Sequence, residues 1–319
     1  MRGLLLPFAV TLLGAGSVHA SAADDWALLG KAAAVARTQP LAGSYLHQVG
    51  SAAETFRIER AQAHGKVRER RVSLDGLPRE VIRNGDAVVS AGPDPRALQA
   101  AKASSVKLFP ALLPEGVDAL QQGYTLTRLG QSRVAMRDCQ WLELKPREAG
   151  QRYALRLCVD GKSHLPLKTM TLTPQGQVVE SFSFIDLNLN VGKLKVDVKP
   201  AYKLSAKSSA QRAAADTPTP ALELRGMPAG FTLVQAGERR LPGDEGAAPV
   251  QHFVYSDGLV MLSVFAEPGA QARTTGAHGY GALSVVSDPE GDYQLTLVGE
   301  LPEASLAAIA RGLRISKKP

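Results

Sequence analysis

The sequence lacks the residue patterns that mark most catalytic and metal-binding sites. It contains six histidines and two cysteines, none of them at metal-ligand spacing, and neither H-E-x-x-H nor G-x-S-x-G occurs. Ser104 and Lys107 match S-x-x-K, but the S-D-N and K-T-G motifs that accompany it are missing. A phosphate loop ending at 161–163 would need glycine at position 156, which is Arg156. We therefore expect no enzyme, no metal site and no cofactor.

Long apolar runs are absent after the first residues, so no membrane-spanning helix is expected in the body of the chain. The start has Arg2, an apolar segment at 4–13 and small residues before Ala20 and Ala23. This segment is shorter than the roughly 20 apolar residues that span a bilayer, and it is typical of a cleaved secretory signal. We expect residues 1–23 to be the signal peptide, with cleavage after Ala20 or Ala23, and the mature protein to lie outside the cytoplasm.

Only Cys139 and Cys158 are available for a disulfide, and an oxidising compartment favours pairing them. The alternating segments 140–144 and 153–157 predict a hairpin. With its centre between Glu148 and Ala149, the hairpin would place the cysteines directly opposite each other, where Cα atoms lie roughly 4.5 Å apart at a non-hydrogen-bonded site. A disulfide is therefore expected, and two free buried thiols are the alternative.

Aromatic residues make up only 5% of the chain, whereas glycine and proline number 30 and 20, which favours a β-rich protein over a helical bundle. Apolar spacing predicts a helix over 24–37 and another helix or two over 93–116. Short alternating segments joined by turns such as Asp75-Gly76 and Asn84-Gly85 predict antiparallel strands. We expect residues 24–201 to form one curved antiparallel sheet with helices on one face.

A change of composition marks the end of this first part. Residues 202–220 are rich in Ser, Ala, Lys, Thr and Pro, which is typical of a linker. The pattern over 221–319 predicts a smaller domain of strands closed by a helix over 302–312, with Pro302 in its first turn and Gly312 at its end. The expected fold class is therefore α+β, in two domains.

The formal net charge of +7 favours an anionic partner, although it can equally serve solubility alone. Nucleic acid is not expected for an exported protein. The strand over 66–71 carries the candidate anion contacts Arg68, Arg70 and Arg71, and a solvated sheet face is the alternative interpretation. The candidate lining of an apolar lipid pocket comprises Phe56, Ile58, Val72, Leu74 and Val81. Acyl chains would gain roughly 0.8 kcal/mol per buried CH₂ there, but the same residues can form a closed core.

Several stretches resemble the RseB/MucB family of periplasmic regulators of the envelope-stress sigma factor. The resemblance runs in order across nearly the whole mature chain, which makes it more specific than any one short motif. The stretches are GSYL at 43–46, VRER at 67–70, LDG at 74–76, REVIR at 79–83, LPLK at 165–168, YSDGL at 255–259, SVFAEP at 263–268 and LVGELP at 297–302.

The resemblance implies a fold and a task. Residues 24–201 would form a lipid-sensing domain similar to the carriers LolA and LolB, an unclosed β-barrel over helices, and residues 221–319 an anti-sigma-factor-binding domain. The protein would bind the periplasmic region of an RseA/MucA-type anti-sigma factor, shield it from site-1 proteolysis and be released by lipopolysaccharide or another lipid. A periplasmic lipid or lipoprotein carrier is the alternative, and the sequence leaves a homo-oligomer open.

Overall fold

The computed structural model describes residues 21–93, 108–148, 150–202, 222–239, 249–269 and 275–317. Residues 1–20 of the expected signal peptide lie outside these ranges, as does nearly all of the expected linker. No helix in the described ranges is long and apolar enough to cross a membrane. The described part of the chain is mostly strand, and its strands form one large sheet, one smaller sheet and a two-stranded ribbon.

Helix α1 (Ala22–Thr38) opens the described chain with a capping box. The Ser21 hydroxyl accepts a hydrogen bond from the Asp24 N–H (3.2 Å), and the Asp24 carboxylate accepts one from the Ser21 N–H (3.0 Å). These bonds satisfy two donors that a helix start leaves free. Cleavage after Ala20 would keep this cap in the mature protein, whereas cleavage after Ala23 would remove it.

Ten antiparallel strands form the large sheet. They are β1 (Leu41–Val49), β2 (Ala52–Ala63), β3 (Lys66–Ser73), β4 (Glu80–Asn84), β5 (Ala87–Ala91), β6 (Tyr124–Val134), β7 (Arg137–Pro146), β8 (Ala154–Asp160), β9 (Pro166–Leu172) and β10 (Val178–Asn188). Their order is β5-β4-β3-β2-β1-β10-β9-β8-β7-β6, so β5 and β6 are the edge strands among the described residues and the sheet is unclosed. The prediction of an unclosed antiparallel sheet with helices on it is confirmed.

Two buried clusters pack against this sheet. The face that carries Phe56 and Ile58 is called here the concave side, and the opposite face the convex side. One joins the buried face of α1 (Leu29, Ala32 and Ala33) to the β6–β8 end. The other is aromatic and lies under β1, β2 and β10, and its rings are Tyr45, Phe56, Phe109, Phe182 and Phe184. Within residues 108–119 the chain forms turns rather than the expected helix, and only the short α2 (Leu120–Gly123) follows. The rest of that predicted helical region, 94–107, lies outside the described residues.

The C-terminal part, from residue 222 onward, forms a separate sheet covered by a helix. Its strands are β11 (Leu222–Arg225), β12 (Thr232–Arg239), β13 (Val250–Ser256), β14 (Met261–Pro268), β15 (Gly276–Tyr280), β16 (Leu283–Glu290), β17 (Tyr293–Gly299) and β18 (Arg314–Lys317), with α3 (Glu303–Gly312) before β18. The six-stranded order is β12-β13-β14-β17-β16-β15, and β11 pairs with β18. This confirms a smaller α+β unit, called here the C-terminal unit; residues 21–202 are the N-terminal unit.

Candidate functional site

Two of the five predicted pocket residues lie in the aromatic core. Phe56 and Ile58 of β2 are 7% and 0% exposed, and both contact the aromatic cluster on the concave side. The ring of Phe56 stacks on that of Tyr45, with centroids 5.3 Å apart. These two side chains therefore belong to the packed interior of the N-terminal unit.

The other three predicted pocket residues do not all lie beside Phe56 and Ile58 in the aromatic core. Arg71 of β3 pairs with Ile58 and with Val81, which puts Val81 on the same side of the sheet, half-buried. Successive residues of a strand point to opposite faces, so Val72 points to the convex side. Leu74 follows the end of β3 and is 47% exposed. On this face β3 carries the polar residues Glu69, Arg71 and Ser73, with Val67 as its one apolar residue.

The three predicted anion contacts are divided between the two faces for the same reason. Arg68 and Arg70 point to the convex side, where Arg70 pairs with Glu80 (Nη2–Oε2 2.7 Å) and Asp197 (Nη1–Oδ2 3.8 Å). Arg70 thereby helps to hold the 190–202 segment on the sheet. Arg71 points to the concave side and is 2% exposed. The three arginines thus form no common cationic rim.

Arg71 belongs to a buried charged group that the sequence pattern did not reveal. Arg60 of β2 and Glu69 of β3 are 0% and 1% exposed. Arg60 Nε donates to Glu69 Oε2, and Arg60 Nη1 donates to the Ala36 carbonyl of α1 at 2.5 Å. Burial lowers the pKa of Arg60. We call Arg60, Glu69 and Arg71 the buried arginine cluster; it sets two guanidinium groups against one carboxylate.

Cys139 and Cys158 form a disulfide, with Cα atoms 5.3 Å apart. Both cysteines are buried in the aromatic core. The predicted register of the hairpin is wrong, because Cys139 pairs with Asp160 and Cys158 with Trp141. The cysteines are therefore diagonal neighbours, since the turn is centred one residue later than expected. Diagonal pairing still brings the two side chains to the same face of the sheet.

The turn between β13 and β14 places the carboxylate of Asp257 at the contact between the two units. Asp257 Oδ2 accepts hydrogen bonds from Arg152 Nε (2.6 Å) and from the Tyr124 hydroxyl (3.1 Å). Its Oδ1 accepts from the backbone N–H groups of Leu259 and Val260, which fixes the turn. The side chains of Arg152 and Asp257 are only 4% and 2% exposed. We call Tyr124, Arg152 and Asp257 the interdomain cluster.

Aromatic rings complete the surroundings of Arg152. Its guanidinium lies 4.9 Å from the ring centroid of Phe231 in the C-terminal unit and 6.0 Å from that of Tyr124. Arg152 Nη2 also donates to the Ala229 carbonyl at 3.1 Å. Burial, followed by the charge of Asp257, raises the pKa of the Tyr124 hydroxyl, which therefore stays a donor at physiological pH. Arg152 thus contacts three residues of the C-terminal unit, namely Asp257, Ala229 and Phe231.

A cavity of about 260 Å³ lies beside the interdomain cluster. It is bounded by Leu112, Tyr153 and Leu155 of the N-terminal unit and by Leu259, Val260 and Met261 of the C-terminal unit. Most of these side chains are apolar. The cavity is slightly smaller than the roughly 300–1,000 Å³ of drug-sized ligand pockets, and it lies where such sites commonly occur, between domains.

A second contact joins the two units at the turn between β15 and β16. Gly281 has a φ of +62°, and a Cβ atom added to it would lie 2.5 Å from Val49 Cγ1 at the end of β1. We expect Gly281→Val to lower the free energy of unfolding by about 1–3 kcal/mol more than Gly291→Val does, because overpacking has that typical cost. Gly291 is the matched control, since it has a φ of +57° and no atom within 4 Å of an added Cβ.

Urea unfolding of both glycine variants measures this difference. Each substitution carries the same strain of a branched residue at positive φ, so the difference isolates the contact with Val49. Equal losses in the two variants would show that the two units do not meet at Gly281.

Both units match known proteins. The families described as MucB/RseB N-terminal domain and MucB/RseB C-terminal domain match residues 24–212 and 216–314. The sigma factor AlgU regulatory protein MucB of Pseudomonas aeruginosa is 30% identical over 311 residues, 95% of this chain and 94% of that protein. The sigma-E factor regulatory protein RseB of Escherichia coli strain K12 is 25% identical over 268 residues, 82% of this chain and 81% of that protein.

The fold is similar to that of a solved complex as well. One chain of the Pseudomonas aeruginosa MucA/MucB complex superposes on the structure with a TM-score of 0.72 at 28% identity, covering 93% of this chain and 99% of that chain. The superposition therefore spans both units rather than one of them. Among the described residues, no group of three or more His, Cys, Asp or Glu side chains could hold a metal ion.

Proposed function

Because this chain belongs to the MucB/RseB family, we propose that it binds the periplasmic region of a MucA/RseA-type anti-sigma factor and thereby represses the envelope-stress sigma factor. The observation that carries this proposal is the similarity of both units together to a chain that is solved in complex with MucA. We propose a binding protein rather than a catalyst, located in the periplasm after removal of residues 1–23.

We propose a separate role for each of the two units. The C-terminal unit, 221–319, serves as the anti-sigma-binding domain, and 24–201 serves as the lipid-sensing domain, with 202–220 as the linker. Bound to this protein, the anti-sigma segment is shielded from the site-1 protease, because a protease needs its substrate extended and accessible. Lipopolysaccharide or another anionic lipid releases the segment. The interdomain cluster supports coupling between the domains, because its hydrogen bonds attach the C-terminal unit to Tyr124 and Arg152 of the N-terminal unit.

A periplasmic lipid or lipoprotein carrier is the second candidate function. The apolar cavity of about 260 Å³ between the units favours it. The buried Arg152–Asp257 pair favours the regulator instead, because a carrier needs no second unit fixed to its sheet by a desolvated ion pair. Transfer of bound lipid between membranes distinguishes a carrier from a lipid-triggered regulator.

A binding measurement with the full mature chain tests the regulator. The purified protein is titrated into the periplasmic segment of the cognate anti-sigma factor, and a segment of identical composition but scrambled sequence is the control. We expect saturable binding of the native segment only, and protection of it from the site-1 protease. Addition of lipopolysaccharide should release the segment, whereas neutral phosphatidylcholine vesicles should not. No binding to the native segment would contradict the proposed function.

A further inference from the structure

The C-terminal unit meets one end of the N-terminal sheet at two separate places. At this end β6, β8 and β10 begin and β1, β7 and β9 end, at residues 124, 154, 178, 49, 146 and 172. These strand ends lie in one row, because neighbouring strands of the sheet are antiparallel. The interdomain cluster lies at the β6–β8 part of the row, and Val49 lies at its β1 part. Three strand spacings of about 4.8 Å separate β8 from β1, which is roughly 14 Å.

Polar contacts hold the first place. They come from the loop 150–153, which lies between β7 and β8. Its Arg152 makes the buried ion pair with Asp257, and the Gly150 carbonyl accepts a hydrogen bond from the Ser305 hydroxyl at 2.5 Å. Breaking a buried ion pair is strongly destabilising. The C-terminal unit is therefore firmly attached to this loop.

Apolar contacts form the second place. The turn that carries Gly281 packs against Val49 and against the carbonyl oxygen of Val179, at the end of β1 and the start of β10. Such a contact gains only the burial of a small apolar area. It is therefore much easier to open than the buried ion pair at the loop.

The cavity of about 260 Å³ lies between the two places. Tyr153 and Leu155 bound it at the start of β8, and Thr171 bounds it at the end of β9. The Tyr153 hydroxyl bonds to Ser284 and adds to the contacts of the loop. Atoms that line an unfilled space have no partner across it. Rotation of the C-terminal unit about the loop would thus widen the cavity without separating Arg152 from its partners.

Two solved forms of MucB superpose differently on this chain. MucB in the Pseudomonas aeruginosa MucA/MucB complex has a TM-score of 0.72, and a crystal structure of MucB has a TM-score of 0.61. The identities are 28% and 27%, and the superpositions cover 93% and 92% of this chain. The arrangement of this chain is therefore more similar to that of MucB in the complex.

We propose that the loop 150–153 is a hinge and the Gly281 turn a latch, so that the C-terminal unit rotates about the loop and opens the cavity on its β1 side. A few loop residues commonly serve as a hinge between domains, and such rotations take microseconds to milliseconds. The structure shows the latch closed. The hinge and the latch do not depend on the proposed function, whereas their effect on the anti-sigma segment rests on it.

Distances between nitroxide spin labels on the full mature chain, measured by double electron–electron resonance, test the two places separately. The latch pair is Gln48→Cys with His278→Cys, and the hinge pair is Lys145→Cys with Ala308→Cys. All four native side chains are exposed and lie in regular elements. The native cysteines form a disulfide and take no label. We expect a broader distance distribution for the latch pair than for the hinge pair.

Two substitutions should affect these distances differently. Gly281→Val overpacks the latch, so it should raise the ratio of open to closed latch at least about fivefold and leave the hinge pair unchanged. Asp257→Asn breaks the ion pair at the hinge and should lengthen both distances, because the latch alone does not hold the units together. Gly291→Val and Glu223→Gln are the respective controls, and they should change neither distance.

Three results would overturn the proposal. Gly281→Val might be found to lengthen both distances equally, which would mean that the loop is no hinge. An unchanged latch pair in both Gly281→Val and Asp257→Asn would mean that no latch opens. Equal widths of the two distributions in the chain without further substitution would also overturn it, and this comparison holds even if Gly281→Val fails to fold.

A disulfide across the latch connects the device to the proposed function. A Cβ atom added to Gly281 would lie 3.7 Å from Val49 Cβ, within the range of about 3.5–4.5 Å for disulfides, so Val49→Cys/Gly281→Cys should close the bridge. We expect the oxidised variant to bind the anti-sigma segment and to need at least tenfold more lipopolysaccharide for its release than the reduced variant. Equal release from both forms would show that the latch plays no part in release. If the unsubstituted chain binds no segment, the proposed function fails, and the label distances still decide on the hinge and the latch.

Discussion

Asp257→Asn is expected to lower the free energy of unfolding by about 3–5 kcal/mol, the usual result of breaking a buried ion pair by removing one partner. The substitution leaves the Arg152 guanidinium charged and only 4% exposed, without the one carboxylate that pairs with it among the described residues. Asparagine keeps a carbonyl oxygen that can still accept from the N–H groups of Leu259 and Val260. The loss therefore falls on the interdomain cluster rather than on the turn.

The two tryptophans allow the coupling between the units to be measured directly. Trp26 and Trp141 both lie in the N-terminal unit, so their fluorescence reports on that unit, whereas far-ultraviolet circular dichroism reports on both. In urea the wild type should show coincident transitions with the two probes. In Asp257→Asn the circular dichroism transition should begin at lower urea than the fluorescence transition, because the C-terminal unit loses its attachment.

Glu223→Gln is the control for this experiment. Glu223 pairs with Arg225 at 3.3 Å, but both side chains are exposed, 44% and 71%. An exposed pair contributes about 0–1 kcal/mol, so the control should unfold nearly as the wild type does. Coincident transitions and an unchanged midpoint in Asp257→Asn would show that the interdomain cluster does not stabilise the contact.

The interdomain cluster also shows which contacts could not be predicted from the sequence. The dipeptide Asp257-Gly258 is typical of a tight turn between two strands, and the structure has a turn there. The partners of its carboxylate, Arg152 and Tyr124, are 105 and 133 residues away in the chain. No local pattern connects residues so far apart. Only the packing of the two units brings the three side chains together.

The sequence pattern predicts which segments form strands. It does not always predict which face of the sheet a side chain points to. In β2 the apolar Phe56 and Ile58 alternate as a core-facing strand should, and the pattern assigns them correctly to the interior. In β3 the same rule favours Val72 as the core residue, whereas the pairing with β2 turns Glu69 and Arg71 inward. The register of neighbouring strands, which depends on long-range pairing, decides the face.

Cys139→Ser/Cys158→Ser is expected to lower the free energy of unfolding by about 3 kcal/mol. The bridge closes a loop with a sequence separation of 19 residues, and a loop of about 15 residues gives roughly 3 kcal/mol in the chain-entropy treatment. Both sulfurs lie in the aromatic core, so two buried hydroxyls would add to the loss. Urea unfolding of the wild type and the variant measures the difference.

A reductant supplies the internal control for this prediction. Dithiothreitol should destabilise the wild type toward the stability of the double-serine variant and should leave the variant itself unchanged. A wild type insensitive to dithiothreitol at denaturing urea would contradict a stabilising bridge. The expected result has a consequence for the proposed periplasmic location: before export the two thiols would stay reduced, and the N-terminal sheet would lack part of its stability. The aromatic core that adjoins the buried arginine cluster would then reach its full stability only where the proposed partner and lipid are also found.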